Sequence, residues 1–176
     1  MKIIIVFVAT LDGKVTKWGD PVVKKWTSRE DKDYFRKTIS NSKLVVMGSN
    51  TFNAGPVKPS DKRIILVMTR HTSDYTEKKV PGKIEFSDDT PNQIVDRFRR
   101  EGYEIMTVVG GPKIATAFLK EQLVDELWLT IEPKIFGTGD LLVSQELLDI
   151  ELKMISCEKM NEQGTLITKF IIVKKP

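Results

Sequence analysis

Three groups of residues in this 176-residue chain are of the right type and spacing to do chemistry. The first is Val108-Val109-Gly110-Gly111-Pro112-Lys113, where an apolar run ends in two glycines and a proline. Glycine has no Cβ, so its backbone can come close to a phosphate. A helix opened by the proline would add free N–H groups and the positive end of its dipole. The same residues would serve equally as a tight strand-to-helix turn that binds nothing. They match neither the Gly-x-Gly-x-x-Gly dinucleotide fingerprint nor a phosphate-binding P-loop. The second group is Phe136-Gly137-Thr138-Gly139-Asp140, which reads either as a ligand loop or as a plain exit from a sheet. The third is Asp31, three residues after Ser28. It is either an ordinary first-turn acid favoured by the helix dipole, in an acidic version of the capping box, or a carboxylate aimed into a site.

Other chemistries are poorly provided for. With one cysteine, Cys157, and one histidine, His71, no cysteine-based zinc set and no internal disulfide can form, and no metal is expected. A net charge of +4 and a pI near 9.1 favour a small anionic ligand. The basic residues are scattered, so nucleic acid is not expected.

The elements that must position these groups follow from the pattern. Hydrophobic residues make up 40% of the chain and no linker divides it, which predicts one domain spanning 1–176. The run Ile3 to Ala9 is broken by Asp12 and Lys14 without a small-x-small cleavage site, so it reads as a buried strand over 2–9 and not as a signal peptide. No stretch approaches the ~20 apolar residues of a membrane span. A soluble, cytoplasmic protein is expected. Ser28 caps a helix running to about Ser40 that would bury Phe35 and Ile39 on one face. Further strands are expected at 44–47, ended by Gly48, and at 64–68, 105–109 and 127–131. Helices are expected at about 91–100 and from Pro112. Residues 150–160 and 165–173 would pair as a hairpin across Gly164. The fold class is α/β: a mostly parallel sheet of about eight strands, a C-terminal antiparallel hairpin and about four flanking helices.

Four segments, in order along nearly the whole chain, carry a resemblance to the dihydrofolate-reductase-like superfamily. Thr10-Leu11-Asp12-Gly13-Lys14-Val15 resembles a signature in the reductase domain of riboflavin biosynthesis. Val45-Val46-Met47-Gly48-Ser49-Asn50-Thr51-Phe52 and Leu66-Val67-Met68-Thr69-Arg70 resemble cofactor-side segments of dihydrofolate reductases. Val109-Gly110-Gly111, Leu123 to Leu127 and Pro133 to Gly139 are similar to the ending that both families share. The resemblance implies an NADPH site in which Gly110 and Gly111, joined by a cis peptide, hold the pyrophosphate beside Val109 and Lys113. It implies that Gly48, Ser49, Asn50 and Thr51 lie on the phosphates, and that Thr69 and Arg70 meet the adenosine 2′-phosphate. Ser49 stands where the family usually has arginine, which removes one cation from that end.

Two substrates compete within the resemblance. Trp26, Asp31 and Phe35 have the separations of the dihydrofolate reductase pattern, and Thr130 matches its strand threonine. One buried carboxylate can accept two hydrogen bonds from the amidine-like edge of a dihydropterin. This implies Asp31, Thr130 and Trp26 as the catalytic set, with Ala9, Phe35 and Thr51 against the substrate. Asp61 at the folate-carboxylate position and Ala115 in place of a tyrosine depart from the dihydrofolate pattern, and Ala115 with the Asp12-Gly13-Lys14 signature leans toward the aminouracil ribosyl phosphate of the riboflavin pathway. That enzyme's Asp-Asp-Pro-Arg segment, however, is missing after Thr51. Dihydrofolate is the narrow first expectation and the aminouracil the second. A non-catalytic nucleotide-binding module is the third. Either enzyme would work as a monomer or a homodimer.

Overall fold

A computed structural model describes residues 1–174. Its strands are β1 (Lys2–Thr10), β2 (Leu44–Gly48), β3 (Ile64–Met68), β4 (Ile84–Ser87), β5 (Ile105–Val108), β6 (Glu126–Glu132), β7 (Glu151–Lys159) and β8 (Leu166–Val173). The helices are α1 (Arg29–Ser40), α2 (Ser49–Asn53), α3 (Pro91–Arg100) and α4 (Pro112–Lys120), with 3₁₀ stretches at Val23–Lys25 and Thr72–Lys78. One sheet runs in the order β4-β3-β2-β5-β1-β6-β8-β7. Its strands are parallel from β4 through β6, and β8 and β7 close it as an antiparallel hairpin. This is a dihydrofolate-reductase-like fold, with the parallel sheet, hairpin and four α-helices that the sequence leads one to expect. Among the described residues no helix is long and apolar enough to cross a membrane.

The central strands are apolar on both faces because both faces are covered. Ile3 and Ile5 join Val46, Phe98, Met106, Val108 and Phe118 in the core under α3 and α4. The alternate residues Ile4 and Val6 pack on the other face with Val45, Met47, Val67 and Val109, where Ile39 of α1 also packs. Burying side chains of this size contributes about 1.5–3 kcal/mol each.

Two local expectations are corrected. Phe35 is not buried: its side chain is 37% exposed, and the one buried residue of α1 is Asp31. Asp31, Phe35 and Ile39 are spaced four apart on one helix face, and the first and last turn inward. Phe35 therefore lies on the inward face of α1 without being covered as its two neighbours are. The capping box is only half made. Ser28 Oγ accepts from the Asp31 N–H at 3.1 Å, but the Ser28 N–H donates to Glu132 and not to Asp31.

Candidate active site

The parallel strands bring two clusters to their C-terminal ends, where open α/β sheets bind ligands. In the first, β2 ends in Gly48 and β5 is followed by Val109 and the glycine pair. The Gly48 N–H donates to the Gly110 carbonyl at 2.7 Å, and the Val109 N–H donates to the Val46 carbonyl. Gly110–Gly111 is a cis peptide, as the resemblance implies, and α4 starts immediately behind it. A Cβ built on Gly110 would lie 3.3 Å from Thr51 Oγ1, and one on Gly111 would lie 3.5 Å from the same oxygen. The space over the glycine pair is therefore a shallow cradle floored by backbone and bounded by Thr51. Gly48, Ser49, Asn50, Thr51, Val109, Gly110 and Gly111 come together here. Lys113 is exposed on α4. Thr69 and Arg70 follow β3, one strand further out, and Arg70 is exposed with no side-chain hydrogen bond or ion pair among the described residues.

The second cluster lies between β6 and the start of α1. Asp31 is 6% exposed and Thr130 is 1% exposed. Burial pushes the Asp31 carboxyl above the ordinary aspartate value. The hydroxyls of Thr130 and Thr27 pull it down, the Glu132 charge pushes it up and Lys32 pulls it down. The Thr27 hydroxyl has no well-formed hydrogen bond, and neither does the buried indole N–H of Trp26, whose ring sits edge-on to Phe136 at 5.1 Å. The Lys134 ammonium donates to the Trp26 carbonyl and ties this segment to the strand end. Glu30 points away, with its carboxylate accepting from Asn161 at 3.1 Å. A hollow beside Trp26 is lined by Lys17, Trp18, Asp20, Val22 and Lys25.

β1 connects the clusters. A Cβ on Gly110 would lie 3.6 Å from the Phe7 ring, while the next residue, Val8, pairs in register with Thr130. Ala9 is buried beside Ile131. Three consecutive residues thus span from the cradle to the buried acid.

The Thr10 to Val15 signature has a structural task. The Asp12 carboxylate accepts from the Thr10 hydroxyl at 2.5 Å and from the Gly137 N–H at 2.7 Å, and the Thr10 bond above all holds its carboxyl below the usual range. Thr16 and Asp140 exchange bonds at 3.1 and 2.8 Å. The second glycine cluster is therefore the partner of the loop after β1. At Gly139, where φ is +145°, a Cβ would lie 2.1 Å from the Thr16 carbonyl oxygen. Gly139→Ala is expected to destabilise the protein by about 2 kcal/mol or more, read from denaturant midpoints. An unchanged midpoint would mean that the two loops are not packed this tightly.

Glu132 was missed by sequence reasoning, although the signal was present. Strand residues two apart share a face, so the spacing that puts Thr130 against α1 also puts Glu132 there.

A model of the RibD C-terminal domain family matches residues 1–166. The uncharacterized protein YwjB of Bacillus subtilis is 23% identical over 146 residues, 78% of this chain and 80% of its own. Among solved structures, the Thermotoga maritima diaminohydroxyphosphoribosylaminopyrimidine deaminase/5-amino-6-(5-phosphoribosylamino)uracil reductase is similar with a TM-score of 0.78 at 17% identity, covering 98% of this chain and 56% of that one. Enterococcus faecalis dihydrofolate reductase, complexed with NADP(H), is similar with a TM-score of 0.69 at 17% identity, covering 98% of this chain and 97% of its own. These two likenesses concern the fold, whereas the family match runs along almost the entire sequence. On that match, the chain belongs to the RibD C-terminal domain family.

Proposed function

We propose that this chain is an NADPH-dependent reductase acting on a pyrimidine-type substrate related to an aminouracil ribosyl phosphate. The observation that carries the reading is the pairing of buried Asp31 with Thr130, across β1 from the glycine pair at the start of α4. The pyrimidine is favoured over the dihydrofolate that Trp26, Asp31 and Phe35 first suggest. Its support is the family match over residues 1–166, the Asp12-Gly13-Lys14 signature and Ala115. Dihydrofolate stays as the second reading, because Asp31 and Thr130 do meet in the arrangement that its pattern requires.

NADPH supplies the hydride when bound. In the proposal the chain's own residues do the remaining work. Gly110, Gly111, Gly48, Ser49, Asn50 and Thr51 hold the pyrophosphate with backbone N–H groups and the Thr51 hydroxyl. Thr69 and Arg70 take the 2′-phosphate. Ala9 and the open ring of Phe35 would lie against a flat substrate ring. Asp31 holds a proton at its carboxyl oxygen and gives it to the substrate nitrogen as the adjacent carbon is reduced, with Thr130 fixing the carboxyl and Trp26 closing the site toward water.

Titration with NADPH should quench tryptophan fluorescence, because Trp128 lies two residues before Thr130 in β6 and Trp26 packs beside Phe136 at the same end of the sheet. Absence of both quenching and calorimetric binding would overturn the reading and leave a non-catalytic module. Arg70→Ala should weaken NADPH by about 1.5–3 kcal/mol while hardly changing NADH, as for a charge-assisted bond to phosphate. Equal losses for both nucleotides would place Arg70 away from the 2′-phosphate.

A further inference from the structure

We infer that Glu132 is a positioning residue for Asp31, because it occupies the helix-start amide that an acid three residues along would otherwise claim. The inference rests on the proposed reading of Asp31 as the acid of the site. In a capping box, Ser-x-x-Glu or Ser-x-x-Gln, the last residue's side chain folds back onto the serine N–H, and Asp31 stands at that position. Here that N–H donates instead to Glu132 Oε1 at 2.7 Å, from the far end of β6. The other Glu132 oxygen, Oε2, accepts from the Thr165 hydroxyl at 3.0 Å. Glu132 is 1% exposed, and each of its oxygens is bonded within the fold. The hairpin turn completes the arrangement, since the Asn161 amide donates to both Thr165 Oγ1 and Glu30 Oε2. Ser28 is taken by Glu132 and Glu30 by Asn161, so Asp31 is the acid left facing Thr27 and Thr130.

Glu132 acts through charge as well as through the cap. The charged groups facing Asp31 are Glu132 from β6 and Lys32 from its own helix, while Lys134 is turned to the Trp26 carbonyl. Glu132 adds to the effect of burial and Lys32 opposes it, so Glu132 helps keep the proton on Asp31.

The test is a carbon-13 NMR titration of the side-chain carboxyls in the full chain without substrate. The samples are wild type, Glu132→Gln and Glu132→Ala, with Asp31→Asn identifying the Asp31 signal. Glutamine keeps an oxygen for the Ser28 N–H and loses the charge. Alanine also leaves that N–H free for Asp31. The Asp31 midpoint should fall by about half a pH unit or more in Glu132→Gln and further in Glu132→Ala. Midpoints unchanged in both variants, even with lowered melting temperatures, would make Glu132 a structural cap and overturn the inference. Should neither variant fold, the wild-type curves decide. The Ser28 amide nitrogen shift should not follow the Asp31 midpoint, because Glu132 holds that N–H, and a Ser28 shift that tracks Asp31 would give the amide to Asp31 and overturn the proposal. The reading beneath it fails separately. Full turnover in Asp31→Asn would remove the acid role while leaving any midpoint shift standing.

Discussion

Replacing Asp31 by asparagine is expected to lower turnover about 100-fold or more while leaving NADPH affinity unchanged. The amide keeps the shape and the contacts to Thr130 and Thr27 but has no proton to give. Reduction of a carbon–nitrogen double bond leaves an electron pair on nitrogen, and without a donor that charge builds up in a site shielded from water. Part of the loss should return at low pH, where the substrate arrives protonated. Stability should move the other way. Asp31 is pushed up by burial, so the folded state holds its proton more tightly than the unfolded chain does. The wild-type protein therefore loses stability as pH rises through the ordinary aspartate range, and the loss levels off above the folded-state value. Asp31→Asn removes that loss, so the variant should melt higher than wild type at neutral pH and show little advantage in strong acid. Glu30→Gln, whose carboxylate faces Asn161, should change turnover little. An inactive Glu30 variant beside an active Asp31 variant would assign the acid to the wrong residue.

Gly111→Val should cost at least tenfold in NADPH affinity, about 1.4 kcal/mol, with the fold retained. A Cβ at this position meets only Thr51 Oγ1, at 3.5 Å, which is ordinary van der Waals contact. A branched side chain would instead fill the cradle through which a pyrophosphate must pass to reach the α4 N-terminus. Thermal melting separates the two effects: a normal melt with lost affinity is the expected pair. Affinity within a factor of about two of wild type would exclude the glycine turn as the phosphate site.

The sequence was most informative where one local rule decided the outcome. Pro112 after two glycines places the start of α4, Ser28 places the start of α1, and the unbroken apolar runs mark β1, β2 and β3 as strands covered on both faces. β4 was not located because Ile84-Glu85-Phe86-Ser87 is short, with only Ile84 buried, and takes its place at the edge from pairing with β3. The Asp31 site was legible as a set of residue types, but not as a geometry. Helical spacing alone treats Phe35 as core, whereas the fold leaves it 37% exposed. The Ser28 amide was also beyond local reasoning. A box read from four consecutive residues has no means of including Glu132, which is 104 positions away. Asp12 shows the same limit: its signature is local, but its acceptor role toward Phe136 and Gly137 is made by the fold.

The most direct test of a reductase with a pyrimidine preference is loss of NADPH absorbance with a panel of three substrates: aminouracil ribosyl phosphate, dihydrofolate and dihydrobiopterin. The account predicts turnover of the aminouracil, dependent on Asp31, with kcat/KM at least tenfold above that for either pterin. Faster reduction of dihydrofolate would contradict the substrate assignment, and no oxidation of NADPH with any of the three would contradict the proposed reductase.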